Sequence, residues 1–143
     1  MKIAIASDHG GFHLKENLIK YLEAENMEVN DLGTYSEESV DYPMFGKACA
    51  LEVASGRAAR GIVVCGTGIG ISIAANKVKG IRCALCTSVQ MAELARKHND
   101  ANMLALGGRT TDLVTAIEIT EKWLETEFEG GRHQRRVDIL NEM

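Results

Sequence analysis

Short apolar runs alternate with amphipathic segments along the whole chain. Five runs have the length and composition of strands, and one contains the continuous core Ile62-Val63-Val64, which is typical of a parallel strand covered on both faces. The predicted strands span residues 2–7, 28–32, 60–65, 81–86 and 102–106. Between them apolar residues recur at helical spacing, as at Leu14, Leu18 and Leu22. The alternation predicts an α/β fold, a three-layer αβα Rossmann-like domain with a five-stranded parallel sheet.

The predicted helices follow the strands and end at glycine or polar residues. Three of them are expected at residues 44–54, 71–77 and 110–127. A further helix, with Met91 and Leu94 on its apolar face, is predicted to begin at a capping box formed by Thr87 and Gln90. The chain then breaks at Gly130-Gly131 and is expected to end in a short helix. No linker or repeat interrupts the pattern, so we expect a single domain over residues 1–143.

Composition narrows the class of protein. The chain has 143 residues, of which 45% are hydrophobic and 25% charged, as in ordinary globular domains. Its formal net charge of −4 argues against nucleic acid as a partner. Neither a signal peptide nor an apolar run long enough to span a membrane is present in the sequence. We therefore expect a cytoplasmic protein without membrane partners.

In a parallel sheet of this kind, ligands bind beyond the carboxyl ends of the strands. Those ends carry Ser7-Asp8-His9, Cys65-Gly66-Thr67, Cys86-Thr87 and Gly107-Gly108-Arg109. The densest signal is the glycine loop Cys65-Gly66-Thr67-Gly68-Ile69-Gly70, which leads into a helix. Glycines let backbone N–H groups approach a ligand closely, and the helix N-terminus favours negative charge, including a thiolate at Cys65. The loop indicates an anion site beside a nucleophile or base, although a structural turn next to a buried cysteine has the same composition.

Known phosphate loops differ from this one at residue 71. A dinucleotide fingerprint needs glycine there, and low-molecular-weight tyrosine phosphatases, which have a similar architecture, need arginine; this chain has Ile71. The Gly-Lys-Ser/Thr of a Walker loop is missing as well. Without a guanidinium, phosphoryl transfer loses its main charge clamp. The loop is better suited to a developing oxyanion, such as an enediolate, with Thr67 as an additional donor.

The four cysteines do not predict a metal or redox site. Cys83 and Cys86 have CxxC spacing, but residues three apart on the predicted strand 81–86 point to opposite faces. No other pair of cysteines, and no cluster of His, Asp and Glu, has ligand spacing in the sequence. We expect four free thiols and no metal.

Histidines and arginines complete the set of candidate residues. Asp8-His9 follows the first strand and His98-Asn99 precedes the fifth. A histidine can transfer protons to and from sugar oxygens. Either histidine could instead be a solvated or capping residue. Arg109 follows the fifth strand, while Arg132 and Arg136 fall on one face of the predicted final helix. The arginines are either phosphate ligands or a solvated basic surface.

Together these motifs resemble ribose-5-phosphate isomerase type B, a family grouped with allose-6-phosphate and galactose-6-phosphate isomerases. The resemblance covers essentially the whole chain. It rests on Ser7-Asp8-His9-Gly10-Gly11, Asp41-Tyr42-Pro43, residues 65–77, residues 96–102, Gly107-Gly108-Arg109 and residues 129–137.

The resemblance implies a role for each matched residue. Cys65 would shuttle a proton between C1 and C2 of the open-chain sugar, Thr67 and the glycine loop would hold the enediolate, and His98 would be the acid that opens the furanose. The loop that holds the enediolate would consist of Gly66, Thr67, Gly68, Ile69 and Gly70. Asp8 and Asn99 would bind sugar hydroxyls, and the residues that bind the phosphate or lie beside it would be His9, Arg109, Arg132 and Arg136. Some members use a glutamate a few residues beyond the cysteine position, but Ile71 and Ser72 occupy that region here. Cys65 is therefore the expected base.

The resemblance also implies the cofactors and partners. The family uses no metal or cofactor and forms homodimers, or tetramers, with the active site between two subunits. The implied function is the interconversion of ribose 5-phosphate and ribulose 5-phosphate in the non-oxidative pentose phosphate pathway. Two alternatives stay open: another aldose phosphate such as allose 6-phosphate, or a non-catalytic flavodoxin-like binding module. For the binding module, aromatic residues are few, at 5% of the chain, and Asp8 has no neighbouring acid.

Overall fold

A computed structural model describes the whole chain, Met1–Met143. Five parallel strands form one sheet in the order β2-β1-β3-β5-β4. They are β1 (Lys2–Ser7), β2 (Glu28–Asp31), β3 (Arg60–Cys65), β4 (Cys83–Leu85) and β5 (Met103–Gly107). The predicted sheet is confirmed, and β1 and β3 have the predicted bounds. The predicted strand 81–86 is too long, because only three of its residues pair with β5 at the edge of the sheet.

Six α-helices surround the sheet. They are α1 (Phe12–Ala24), α2 (Tyr42–Ala54), α3 (Ile69–Asn76), α4 (Val89–Asn99), α5 (Leu113–Glu125) and α6 (Arg132–Glu142). The final helix is confirmed, but the predicted capping box at Thr87 is wrong. Ser88 caps α4, with its side chain accepting a hydrogen bond of 3.2 Å from the Met91 amide. Ser88 has the extended backbone that a cap requires, whereas Thr87 stands one residue outside the helix.

The helices cover the two faces of the sheet with different side chains. One core joins α1, α4 and α5 to the large residues of the strands, among them Ile62 and Leu104. The other joins α2 and α3 to smaller ones, among them Ala6 and Ala105, and it includes Cys65. Cys86 belongs to the first core and Cys83 packs against the second, which confirms that the CxxC pair faces opposite ways.

The strand order places the crevice of the sheet between β1 and β3. These strands are neighbours, with Ser7 opposite Val64, while β5 lies on the other side of β3 with Gly107 opposite Cys65. The carboxyl ends of β1, β3 and β5 therefore meet, and ligands bind at such a position in open parallel sheets. No helix of the structure has the length and apolar character needed to cross a membrane.

Candidate active site

Cys65 ends β3 under the glycine loop that leads into α3. Its side chain is almost fully buried, with 5% of its surface exposed. The Gly68 amide donates a hydrogen bond of 3.2 Å to Cys65 Sγ. Gly68 has a φ of 79°, and a Cβ atom there would lie 2.6 Å from Leu85 Cδ1, so this position requires glycine. The loop thus holds a backbone donor against the sulfur, where it stabilises negative charge.

The rest of the loop offers further donors. The amides of Gly66 and Thr67 donate to no other group of the chain. Thr67 Oγ1 accepts a hydrogen bond of 3.2 Å from the Ile69 amide, so its own proton is free to donate outward. Ser72 Oγ donates to the Ile69 carbonyl over 2.7 Å within the first turn of α3. This arrangement can hold an oxyanion beside the thiol.

Three glycines allow three loops to meet above Cys65. A Cβ atom on Gly10 would lie 3.1 Å from the Gly66 amide nitrogen, and one on Gly108 would lie 2.6 Å from the Gly10 carbonyl oxygen. The exposed Arg109 reaches over the same point, because its Nη1 lies 3.3 Å from the position of a Cβ on Gly66. Its amide donates to the Gly66 carbonyl over 2.9 Å. A guanidinium therefore lies above the loop, where it can bind a phosphate or sugar oxygen.

Asp8 and His9 border this group at the end of β1. Asp8 is buried, and its Oδ1 accepts a hydrogen bond of 3.1 Å from the Gly11 amide, which leaves Oδ2 for a ligand. His9 Nδ1 accepts a hydrogen bond of 3.2 Å from the Val40 amide, so its Nε2 is the nitrogen left for a ligand. With Cys65, Thr67 and Arg109, these residues form what we call the thiol group of the site.

The other predicted site residues lie at the opposite end of the sheet and form the histidine group: His98, Asn99, Arg132 and Arg136. His98 and Asn99 end α4, which runs back from the carboxyl end of β4 to the amino end of β5. Arg132 and Arg136 are exposed and form no hydrogen bond or ion pair within the chain. A cavity of about 670 Å³ opens on this side as well, with Asn99 in its wall.

A single chain therefore does not bring all the predicted residues together. β5 separates the two groups, and its five residues span roughly 13 Å at the usual rise per residue of a strand. The sequence itself contains a signal for this separation, because a residue between a helix and the following parallel strand lies at the amino edge of the sheet.

His98 belongs to a cluster that the sequence analysis missed. The rings of His98 and His133 stack, with centroids 4.4 Å apart and planes 14° from parallel. Glu129 Oε1 lies 3.7 Å from His98 Nε2 and 3.6 Å from His133 Nε2. The sequence predicted no cluster of His, Asp and Glu with ligand spacing, and that prediction is wrong for the folded chain. His98 is distant in sequence from Glu129 and His133, so spacing along the chain does not reveal the cluster. These three side chains are the ones that could hold a metal ion, since their ligand atoms all lie within 4.8 Å of one another.

Known proteins share this fold and much of this sequence. A family model described as Ribose/Galactose Isomerase matches residues 3–140. Ribose-5-phosphate isomerase B of Escherichia coli strain K12 is 48% identical over 139 residues, which cover 97% of this chain and 93% of that protein. Together with the Cys65 loop, these matches define the class: the chain belongs to the ribose/galactose isomerase family.

Solved structures agree with this assignment in detail. A ribose-5-phosphate isomerase B of Clostridium thermocellum superimposes with a TM-score of 0.98 at 56% identity, covering 99% of this chain and 96% of that one. The enzyme of the same name from Mycoplasma genitalium, solved with bound ribulose 5-phosphate, has a TM-score of 0.94 at 43% identity and covers 99% and 94%. Within the family, the chain is thus similar to the ribose-5-phosphate isomerases of type B.

Proposed function

We propose that this chain is an aldose–ketose isomerase that interconverts D-ribose 5-phosphate and D-ribulose 5-phosphate through a cis-enediolate. The observation that carries the proposal is the Cys65 thiol at the floor of a loop whose Gly66 and Thr67 amides are free to donate. Family membership supports the reaction class. Ribulose 5-phosphate bound to the Mycoplasma genitalium enzyme supports a five-carbon substrate, and with it a place in the non-oxidative pentose phosphate pathway.

The chemistry at Cys65 is a proton transfer between adjacent carbons. The thiolate removes the proton from C2 of the open-chain aldose, the electron pair forms the C1–C2 double bond, and the former carbonyl electrons move to O1. The free amides of the loop stabilise the resulting oxyanion. A proton then passes from O2 to O1, a transfer that we assign to the free hydroxyl of Thr67. The thiol returns its proton to C1 as the C2 carbonyl forms.

The remaining residues bind and open the sugar. His98 donates a proton to the ring oxygen O4 as the C1–O4 bond breaks, while the C1 hydroxyl gives its proton to water. Asp8 and Asn99 bind sugar hydroxyls. The phosphate is bound by His9 and the arginines, which carry no internal ion pairs: Arg109, Arg132 and Arg136.

The active site is completed by a second copy of the chain. The histidine group of one copy meets the thiol group of the other in a two-fold homodimer, because neither group can reach its complement within one chain. Exposed apolar side chains on α2 and α3 support such an interface: Met44, Ile69 and Ile73 are 73%, 53% and 56% exposed. Ile69 and Ile73 stand on the helix that follows the Cys65 loop, so a partner covering them also covers the thiol group.

An assay with a panel of aldose phosphates tests the proposal. The purified chain is mixed with ribose 5-phosphate, allose 6-phosphate or galactose 6-phosphate, and ketose formation is followed with and without EDTA. We expect turnover of ribose 5-phosphate in preference to both hexose phosphates, with no loss after chelation, because backbone N–H groups hold the oxyanion. Preference for a hexose phosphate would assign the chain to another branch of the family. If none of the three sugar phosphates were turned over, the chain would be a binding module.

A further inference from the structure

The Glu129 carboxylate lies beside the Nε2 atoms of both stacked histidines, His98 and His133. We propose that Glu129 is a positioning residue that orients His98 and supplies its counter-charge for opening the furanose ring; this inference rests on the proposed isomerase function. Glu129 lies in the connection between α5 and α6, and His98 ends α4. His133, which stacks on His98, lies on α6, so two further parts of the chain contact the imidazole that α4 carries.

The Glu129 carboxylate lies within ion-pair distance of both imidazoles. Its Oε1 lies 3.7 Å from His98 Nε2 and 3.6 Å from His133 Nε2, which are ion-pair distances slightly longer than hydrogen bonds. The Glu129 and His98 side chains are 51% and 40% exposed, whereas His133 is 10% exposed. The buried His133 ring is therefore held in place by its surroundings. The more exposed side chains of Glu129 and His98 have room to change conformation when a sugar binds.

Backbone hydrogen bonds and two glycines hold Glu129 in this position. Its amide donates a hydrogen bond of 3.1 Å to the Lys97 carbonyl, next to His98. Three residues earlier, the Thr126 carbonyl accepts a hydrogen bond of 3.2 Å from Arg96 Nε. Gly130 and Gly131, with φ of 68° and 57°, then turn the chain sharply into α6. Glu129 is thus tied to the last turn of α4 before α6 begins.

Charges around the pair explain why a carboxylate is needed. Burial lowers the pKa of His133, the charges of His98, Arg132 and Arg136 lower it further, and Glu129 acts in the opposite direction. Lys97 adds another positive charge beside Glu129. With these cations on both α4 and α6, Glu129 is the acidic group that faces both imidazole edges and offsets part of their positive charge.

Ribulose 5-phosphate allows the ring-opening step to be isolated. Its C5 oxygen carries the phosphate, so this ketose cannot close a furanose ring, whereas ribose 5-phosphate is mostly cyclic. The reaction from the ketose therefore reaches the enediolate without ring opening. The equilibrium constant fixes the ratio of kcat/KM in the two directions, so the asymmetry appears at saturating substrate. There, a defect confined to ring opening lowers kcat from ribose 5-phosphate far more than kcat from ribulose 5-phosphate, whose open-chain product can leave the enzyme directly. A general structural defect lowers both equally.

The experiment measures initial rates at saturating substrate in both directions for Glu129→Gln, with Glu127→Gln as the matched control. Glu127 is exposed, lies on the same segment and forms no ion pair. We expect Glu129→Gln to lower the rate from ribose 5-phosphate at least about tenfold and the rate from ribulose 5-phosphate less than about threefold. At high enzyme concentration the variant's rate from ribose 5-phosphate levels off at the spontaneous rate of ring opening. Glu129→Asp, which keeps the charge on a shorter side chain, should fall between the wild type and Glu129→Gln.

Equal losses in both directions, or no loss in either, would overturn the inference. A Glu127→Gln variant with the same directional defect would overturn it too. The proposed function fails separately: in that case the wild type turns over neither sugar, or Cys65→Ala keeps both rates.

Discussion

At the scale of single residues, Cys65 differs from the other cysteines in the surroundings of its sulfur. Cys65 Sγ accepts a hydrogen bond from a backbone amide, whereas Cys49 Sγ donates one to the Ile62 carbonyl over 3.6 Å. Burial raises the pKa of Cys83 to about 12 and that of Cys86 to about 11, and it raises the pKa of Cys49 further. These three thiols therefore stay protonated at neutral and mildly alkaline pH, and they cannot serve as the base.

Cys65→Ala should lower kcat at least about a thousandfold, because no other group in the loop accepts a carbon-bound proton. Cys65→Ser should be nearly as inactive, since a hydroxyl is rarely ionised at neutral pH. Cys86→Ala is the matched control and should keep kcat while losing about 1 kcal/mol of stability in urea unfolding. Iodoacetamide at pH 8 should label Cys65 first, and substrate should protect it. A Cys65→Ala variant with near wild-type turnover would show that the base lies elsewhere.

Arg132 and Arg136 carry a second prediction at this scale. Each changed to Ala should raise KM about tenfold with a smaller loss of kcat, because the phosphate is bound in both ground and transition states. Arg135→Ala is the control: this exposed arginine lies on the same helix, and no ligand role is proposed for it. Steady-state kinetics distinguish the variants. If Arg132→Ala and Arg136→Ala both behave like Arg135→Ala, the arginines form a solvated surface.

At the scale of elements, the turn from β3 into α3 depends on Gly68. A Cβ there would clash at 2.6 Å with Leu85 Cδ1 and at 2.8 Å with the Leu106 carbonyl carbon, and φ is 79°. Gly56 has a φ of 81° but no atom within 4 Å of such a Cβ, so it isolates the cost of backbone strain. We expect Gly56→Ala to cost about 1 kcal/mol and Gly68→Ala at least about 3 kcal/mol in urea unfolding. Equal losses would mean that the packing around Gly68 relaxes easily.

At the scale of the whole molecule, the separation of the two groups predicts complementation between inactive variants. Cys65→Ala and His98→Asn should each be nearly inactive in forming ribulose 5-phosphate. When the two are unfolded together and refolded as a mixture, half of the dimers should be heterodimers, each with one intact site. Activity should then recover to roughly a quarter of the wild-type value. Recovery should not occur with Cys65→Ala and Thr67→Val, which damage the same group. No recovery in the first mixture would place His98 and Cys65 in one chain's site.

The sequence by itself determined the features that depend on neighbours along the chain. The apolar runs 2–7 and 60–65 predicted β1 and β3 to the residue, because burial on both faces requires a continuous apolar run. The Cys65 loop was identified by its glycines, since its geometry is set within a few residues of the sulfur. Helix and strand boundaries at the edge of the sheet were less well predicted, as at Thr87 and in β4, because pairing and capping there depend on single hydrogen bonds.

Only the tertiary structure decided which distant residues meet. The packing of Tyr42 against Gly70, where a Cβ would lie 2.5 Å from the ring, joins α2 to α3 and has no counterpart in local periodicity. The cluster of His98, Glu129 and His133 forms because the chain after α5 folds back along α4. The same fold keeps His98 a whole strand length from Cys65. Periodicity reports whether each residue is buried, whereas the course of the chain through the sheet determines which buried or exposed residues share a site.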